Sequence, residues 1–164
     1  IGPGQALHNP YTGVLAAFLA RLREGQPLLV YGDGLQTRDF VHVQDLTALV
    51  EWSVTRLLDQ PPSLLTLNCG TGVRTTLDEL ARYAIRGSRL PQTEVVHVEV
   101  HRAGDIEHAC ADLTLARTLG APTPAWSTAD AVAHFIAASW DEPGASPQAW
   151  EAALAELAQR GLAR

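Results

Sequence analysis

The stretch L-L-V-Y-G-D-G-L-Q-T-R-D-F-V-H-V-Q-D occupies residues 28 to 45. It opens with a short apolar run, Leu28 to Tyr31, which reads as a buried strand. Gly32-Asp33-Gly34 then reads as a turn, because two glycines allow positive φ and let a ligand approach the backbone closely. Arg38 follows between Thr37 and Asp39, and its guanidinium can present a planar fork of donors to a phosphate. Phe40 to Val43 reads as a second extended piece. From near Gln44 or Asp45 to near Asp59 the spacing predicts a helix, with Leu46, Leu49, Val50, Val54 and Leu57 as its buried stripe. A strand, a glycine turn and an Arg–Asp pair also arise together for purely structural reasons.

On the N-terminal side, residues 1 to 9 are rich in Gly and Pro and read as a loop. Pro10 to Glu24 carries Val14, Leu15, Phe18, Leu19 and Leu22 at helical spacing, and Gly25 closes that helix. On the C-terminal side, Pro61-Pro62 stops the second helix. Leu64 to Asn68 reads as a strand that runs into Cys69-Gly70-Thr71-Gly72. Thr76 and Glu79 form a capping box for a helix reaching about Gly87. Glu94 to Val100 alternates and is rich in valine, so it reads as a strand. Leu113 to Leu119 is a short helix stopped by Gly120, and Ser127 or Thr128 caps another running to about Trp140. Residues 141 to 146 read as a linker. A last helix begins at Ser146-Pro147, with Trp150, Leu154 and Leu157 on its apolar side.

The 164 residues are 46% apolar and 18% charged, enough for one packed domain with a C-terminal appendage. The net charge of −6 and the lack of a basic patch with interleaved aromatics argue against nucleic-acid binding. No apolar run is long enough to span a bilayer. Two cysteines, Cys69 and Cys110, imply no disulfide framework and suit a reducing cytoplasm. The chain begins with Ile1 rather than Met, so we expect it to start within a gene or after processing. His97 and His101 flank Glu99. On a strand they stand about 13 Å apart at roughly 3.3 Å per residue, too far to share a zinc ion.

The run Y-G-D-G-x-Q-T-R-D-F-V-H-V-x-D resembles a signature of extended short-chain dehydrogenases, the NAD-dependent sugar-nucleotide epimerases, dehydratases and decarboxylases. Three further segments match in order. Gly2-Pro3-Gly4-Gln5 resembles the end of N-V-Y-G-P-G-Q. Leu67-Asn68-Cys69-Gly70-Thr71-Gly72, with Thr75 to Leu80, resembles Y-N-I-G-S-G…T-V-x-E-L. Arg102-Ala103-Gly104-Asp105-Ile106-Glu107-His108, with Ala111-Asp112 and Leu119-Gly120, resembles R-P-G-D-x-R-H-S-x-A-D…L-G-W. Ala103 stands where the family has Pro, Cys69 where it has Ile or Val, Ala16 where Pro is common, and Ile1 where it has Tyr. Glu107 replaces a frequent Arg and makes this loop more acidic, so the resemblance leaves the substrate open.

The resemblance implies an α/β fold: the C-terminal substrate-binding lobe of an extended short-chain dehydrogenase with a helix and a strand of its Rossmann domain, the N-terminal Rossmann core missing. It assigns residues 1–140 to the nucleotide-sugar-binding part and 141–164 to a linker and an extra helix. It places Arg38 and Arg102 on the diphosphate of a UDP- or dTDP-sugar and Asp105 on a ribose hydroxyl. The backbone of Leu29, Val30 and Tyr31 would edge the base, with Val14 and Leu15 packing near it. Neither G-x-x-G-x-x-G nor Y-x-x-x-K occurs, and the chain has no lysine. The expectation is therefore NAD in the intact parent and none bound by this chain alone, with no catalytic residue and no metal site here. The missing Rossmann half and a second copy of the chain are the expected protein partners. The alternative is a non-catalytic remnant or interaction module that keeps the fold.

Overall fold

A computed structural model describes residues 1–8, 13–59, 64–99 and 105–159. The elements in chain order are α1 (Val14–Arg23), β1 (Leu28–Tyr31), β2 (Thr37–Arg38), α2 (Val43–Leu58), β3 (Thr75–Thr76), α3 (Leu77–Gly87), β4 (Val95–Val98), α4 (Thr114–Thr118), α5 (Thr128–Ser139) and α6 (Pro147–Gln159). β1 and β4 pair in parallel with Leu28 opposite Val95, and β2 and β3 pair antiparallel with Thr37 opposite Thr76.

The core lies between α1, α3, α5 and β1. In α1, Leu15, Phe18, Leu19 and Leu22 repeat at the spacing of one helical face and are all buried. α5 answers with Val132, Phe135 and Ile136, and β1 with Leu28 and Val30. Each large side chain so buried contributes about 1.5–3 kcal/mol relative to exposure. Small residues let α3 lie close on α5: Ala81 and Ala84 are fully buried. A Cβ on Gly87 would sit 3.1 Å from the backbone of Ala133.

The caps follow local chemistry. Thr76 Oγ1 accepts from the Glu79 amide at 3.1 Å while the Glu79 carboxylate accepts from the Thr76 amide at 2.9 Å, so the expected capping box is present. Ser127 caps α5 by accepting from the Asp130 amide at 3.1 Å. α1 ends as Gly25 takes a positive φ of 66° and the Gln26 amide returns to the Arg21 carbonyl at 2.9 Å.

α6 packs on its own domain. Trp150 lies against the core, Arg21 pairs with Glu151 at 2.6 Å, and the Ala145 amide donates to the Leu7 carbonyl at 2.9 Å. The Leu154 and Leu157 side chains fall outside the described set.

Three expectations need correction. The extended piece expected over 40–43 is part of no sheet, and although His42 is extended, Val43 already belongs to α2. The extended pairing is made earlier, by Thr37 and Arg38, and α2 starts at Val43. His42 is its N-cap, its ring Nδ1 accepting from the Gln44 amide at 3.2 Å. Residues 64–68 belong to neither sheet, because nothing among the described residues offers them a ladder of backbone partners. The stripe of α2 is not buried. Val50 is 52% exposed and Val54 51%, and no α2 side chain is buried at all. The periodicity fixes which face is apolar, but no described element packs on it.

No described helix is long and apolar enough to cross a membrane.

Candidate functional site

Arg38 projects from β2, and the loop 105–111 is laid along the same short strand. The Thr37 amide donates to the Glu107 carbonyl at 2.9 Å, and the Ala109 amide donates back to the Thr37 carbonyl at 3.0 Å. Thr37 Oγ1 also meets His108 Nδ1 at 3.1 Å. These bonds bring Asp105 to Arg38: Nη2 donates to Asp105 Oδ1 at 2.7 Å. Nη1 donates to the carbonyls of Thr37, at 2.8 Å, and Glu107, at 3.3 Å. The guanidinium is therefore held in one orientation, with its side chain 27% and that of Asp105 50% exposed. Two residues 67 positions apart in sequence stand side by side at the surface. Arg102 lies outside the described residues.

β1 carries the other residues expected to contact a ligand. The Leu28 amide donates to Glu94 and the Gly32 amide to Val98, each at 2.9 Å. By the alternation of a parallel ladder, the backbone of Leu29 and Tyr31 faces the opposite edge. Gln36 Nε2 donates to the Tyr31 carbonyl at 2.6 Å, joining the end of β1 to the segment that enters β2. Gly32 and Gly34 both take positive φ, 76° and 75°, as the turn requires. Val14 is half-buried, but Leu15 is only 1% exposed within the core, as is Val30. The side chains of Leu15 and Val30 can back a ligand but cannot touch it.

Asp39 was not singled out as a functional residue from the sequence. Its carboxylate accepts from the Thr71 amide at 2.8 Å, Thr71 Oγ1 at 2.6 Å, the Gly72 amide at 2.9 Å and the Ala111 amide at 3.2 Å. Partial burial pushes its pKa up, but the hydrogen bonds from the Thr71 hydroxyl and the Thr71, Gly72 and Ala111 amides outweigh that and leave it below the ordinary carboxylate value. The sequence signal was an acidic residue next to a site arginine, with a Gly-Thr-Gly turn downstream whose amides need an acceptor.

The same contacts test the one turn that joins an extended segment towards a helix as a dinucleotide site would. In Gly70-Thr71-Gly72 the Thr71 and Gly72 amides donate to Asp39, so an internal carboxylate stands where a diphosphate would have to bind. These residues do not fit a dinucleotide cradle.

His42 is a second feature missed in the sequence. It is fully buried, stacks on Trp126 at 3.9 Å between ring centroids, and meets His134 Nδ1 through Nε2 at 3.0 Å. Burial, then His134 and the amino group of Ile1, push its pKa below the ordinary value. A His before the first turn of a helix was the available hint.

The remaining groups define no further centre. His97 Nε2 lies 2.8 Å from Asp78 Oδ1, and no set of metal-ligating side chains is gathered among the described residues. A shallow depression involves Asp45, Asn68, Cys69 and Arg117, but neither Arg38 nor Asp105 lines it. The thiol of Cys69 there is pushed up by burial and then by Asp39 and Asp45, which disfavours a nucleophilic thiolate.

The mixed α/β lobe, in which a strand-borne arginine faces a loop carboxylate, is similar to the corresponding part of extended short-chain dehydrogenases of solved structure. The chain belongs to the NAD-dependent epimerase/dehydratase family, whose profile, described as "NAD dependent epimerase/dehydratase family", matches residues 1–70. It is 34% identical over 126 residues to a dTDP-L-rhamnose 4-epimerase of Burkholderia thailandensis, covering 77% of this chain and 33% of that protein. It is 31% identical over 153 residues to an ADP-L-glycero-D-manno-heptose-6-epimerase of Alkalilimnicola ehrlichii, covering 89% and 47% respectively. Among solved structures, the UDP-glucose 4-epimerase of Thermotoga maritima, crystallised with UDP-glucose, superposes with a TM-score of 0.67 at 28% identity, over 84% of this chain and 42% of that one. The chain thus spans about a third to a half of the length of the proteins it matches.

Proposed function

We propose that this chain forms the part of an NAD-dependent sugar-nucleotide epimerase or dehydratase that holds the nucleoside diphosphate-sugar. The observation that carries the proposal is the Arg38–Asp105 pair. A diphosphate and its adjoining ribose present an anion and a hydroxyl a few ångströms apart. A guanidinium and a carboxylate set side by side at 2.7 Å match that order. Arg38 takes the diphosphate with Arg102 as a second donor, and Asp105 takes a ribose hydroxyl. The backbone edge of Leu29 and Tyr31 receives the base, with Val14 beside it and the buried Val30 and Leu15 behind. The ligand is a UDP- or dTDP-sugar, supported by the dTDP-L-rhamnose 4-epimerase and the UDP-glucose 4-epimerase, whereas the heptose epimerase is named for an ADP-sugar.

In this reading, oxidation at sugar C4 and the epimerisation or dehydration that follows take place on NAD and catalytic groups held outside this chain. The exposed apolar face of α2 and the unpaired segment 64–68 dock onto the Rossmann half that carries them.

Calorimetric titration with UDP and dTDP tests the reading. Arg38→Ala should weaken binding at least tenfold, about 1.4 kcal/mol, as expected for loss of a charge-assisted contact. Equal affinity of the variant and the original chain overturns the assignment. No binding to the original chain favours a remnant or interaction module instead.

A further inference from the structure

We infer that Asp39 is the positioning residue of the site: its carboxylate ties the turn 70–72 and the end of the loop 105–111 to β2, and thereby fixes Asp105 beside Arg38. The inference rests on the nucleotide-binding reading of Arg38 and Asp105 and deepens it.

Two neighbouring residues have opposite tasks. Arg38 reaches out to Asp105, while Asp39 turns inward and gathers donors from two distant segments. Besides the side-chain bonds of Thr37 and Arg38 to the loop 105–111, two sets of contacts involve the loop's backbone amides. One is the pair of backbone bonds between Thr37 and residues 107 and 109. The other is the Ala111 amide on Asp39 at 3.2 Å. The first anchor is a short isolated bridge, and such pairs hold poorly unless their flanks are fixed. Asp39 supplies that fixing. Its other oxygen contacts reach Thr71 and Gly72, so the loop is fastened to the turn as well as to the strand.

The packing leaves no room for a side chain at residue 70. A Cβ on Gly70 would run into the Asp39 carboxylate and into Ala111. The glycine there lets the turn close on the acid. A carboxylate is required, because its two oxygens accept from four donors. An amide at the same place would turn an NH2 group toward donors and leave amides unsatisfied.

The test uses the 164-residue chain with UDP as the probe. Four proteins are compared: the original, Arg38→Ala, Asp39→Asn, and the double variant. Thr71→Ala is a milder fifth that keeps the Thr71 amide bond to Asp39 and removes the hydroxyl, which donates to Asp39 at 2.6 Å and accepts from the Val73 amide at 3.1 Å. Hydrogen exchange is followed at residues 70–72 and 105–111. Asp39→Asn should weaken UDP binding about five- to thirtyfold and speed exchange in both segments, within the range of coupling between groups of one network. Arg38→Ala should weaken binding while leaving exchange at 70–72 unchanged. If Asp39 acts through the Arg38 pair, the double variant binds no worse than about threefold below Arg38→Ala alone. A purely structural role would make the two losses multiply. Thr71→Ala should show the same pattern at smaller size, and it decides the matter should Asp39→Asn fail to fold.

The inference is overturned if Arg38→Ala loses UDP while Asp39→Asn and Thr71→Ala keep it, which leaves the nucleotide-binding reading intact. It is also overturned if the losses multiply. Should the original chain itself not bind UDP, the reading falls and the inference falls with it.

Discussion

At the scale of single residues, His42 shows how a buried side chain acquires a fixed protonation state. Its Nδ1 accepts from the Gln44 amide, so that nitrogen carries no proton. Nε2 must then be the protonated nitrogen, and it donates to His134 Nδ1 across 3.0 Å. A second proton on His42 would point at the Gln44 N–H. The groups facing the ring are His134 from α5, the amino group of Ile1, and Asp45 from the first turn of α2, the last of which pulls in the opposite direction. Burial is the largest influence, and the folded-state pKa lies below the ordinary 6.5. The sign follows directly. The unfolded chain takes up the proton first, so this contribution to stability is fully present above about pH 6.5 and is lost as the pH falls from there toward the folded pKa. Melting temperatures across that range should decline toward acid in the original chain. His42→Phe keeps a ring for Trp126 but cannot titrate, so it should melt lower at neutral pH and show a shallower decline. An equal slope in both proteins would remove His42 as the source.

At the scale of elements, α2 and α3 have similar sequence signals and different fates. Both show apolar residues at helical spacing. The capping box makes α3 start where the sequence says, and Leu80, Ala81 and Ala84 are buried against α1 and α5. Thr76→Ala should cost about 1 kcal/mol in urea denaturation, the usual worth of such a cap, and a loss near zero would mean the box is idle. α2 has the same periodicity, but none of the described residues buries its apolar face. Periodicity reports the face a helix wants to hide, and the partner is a separate fact. The same holds for 64–68, whose composition reads as a strand although the ladder needs another chain segment. Arg38 was legible because its signal is local: a glycine turn, then one cation in a polar run. Asp39 and His42 were not, since their partners at 71, 72, 111, 126 and 134 meet them only after folding. The Arg38–Asp105 contact shared that problem, and only the family resemblance put both residues at one ligand.

At the scale of the whole molecule, the apolar surface is distributed unevenly. One side is a closed core roofed by α6, with Phe18, Phe135 and Ile136 almost entirely out of water. Away from that core, Leu46, Val50, Val54 and Leu57 stand in one row along α2, each at least 40% exposed, and Leu58 is 80% exposed. Soluble monomers rarely leave a contiguous row of this kind uncovered. If a Rossmann half covers it in the parent enzyme, then the chain on its own will bury the row against other copies of itself. The expected behaviour is concentration-dependent association in sedimentation velocity, with a melting temperature that rises with protein concentration. Val50→Glu with Val54→Glu separates this cause from general instability. Both side chains are more than half exposed, so no core contact is lost. Glu is also a better helix former than Val, so α2 itself should not weaken. The double variant should therefore sediment as a monomer while melting no lower than the original chain at low concentration. Association that survives the two charges would place the contact elsewhere. A concentration-independent monomer in the original chain would mean that the α2 row tolerates water, and the argument that a second half must cover it would lose its physical basis.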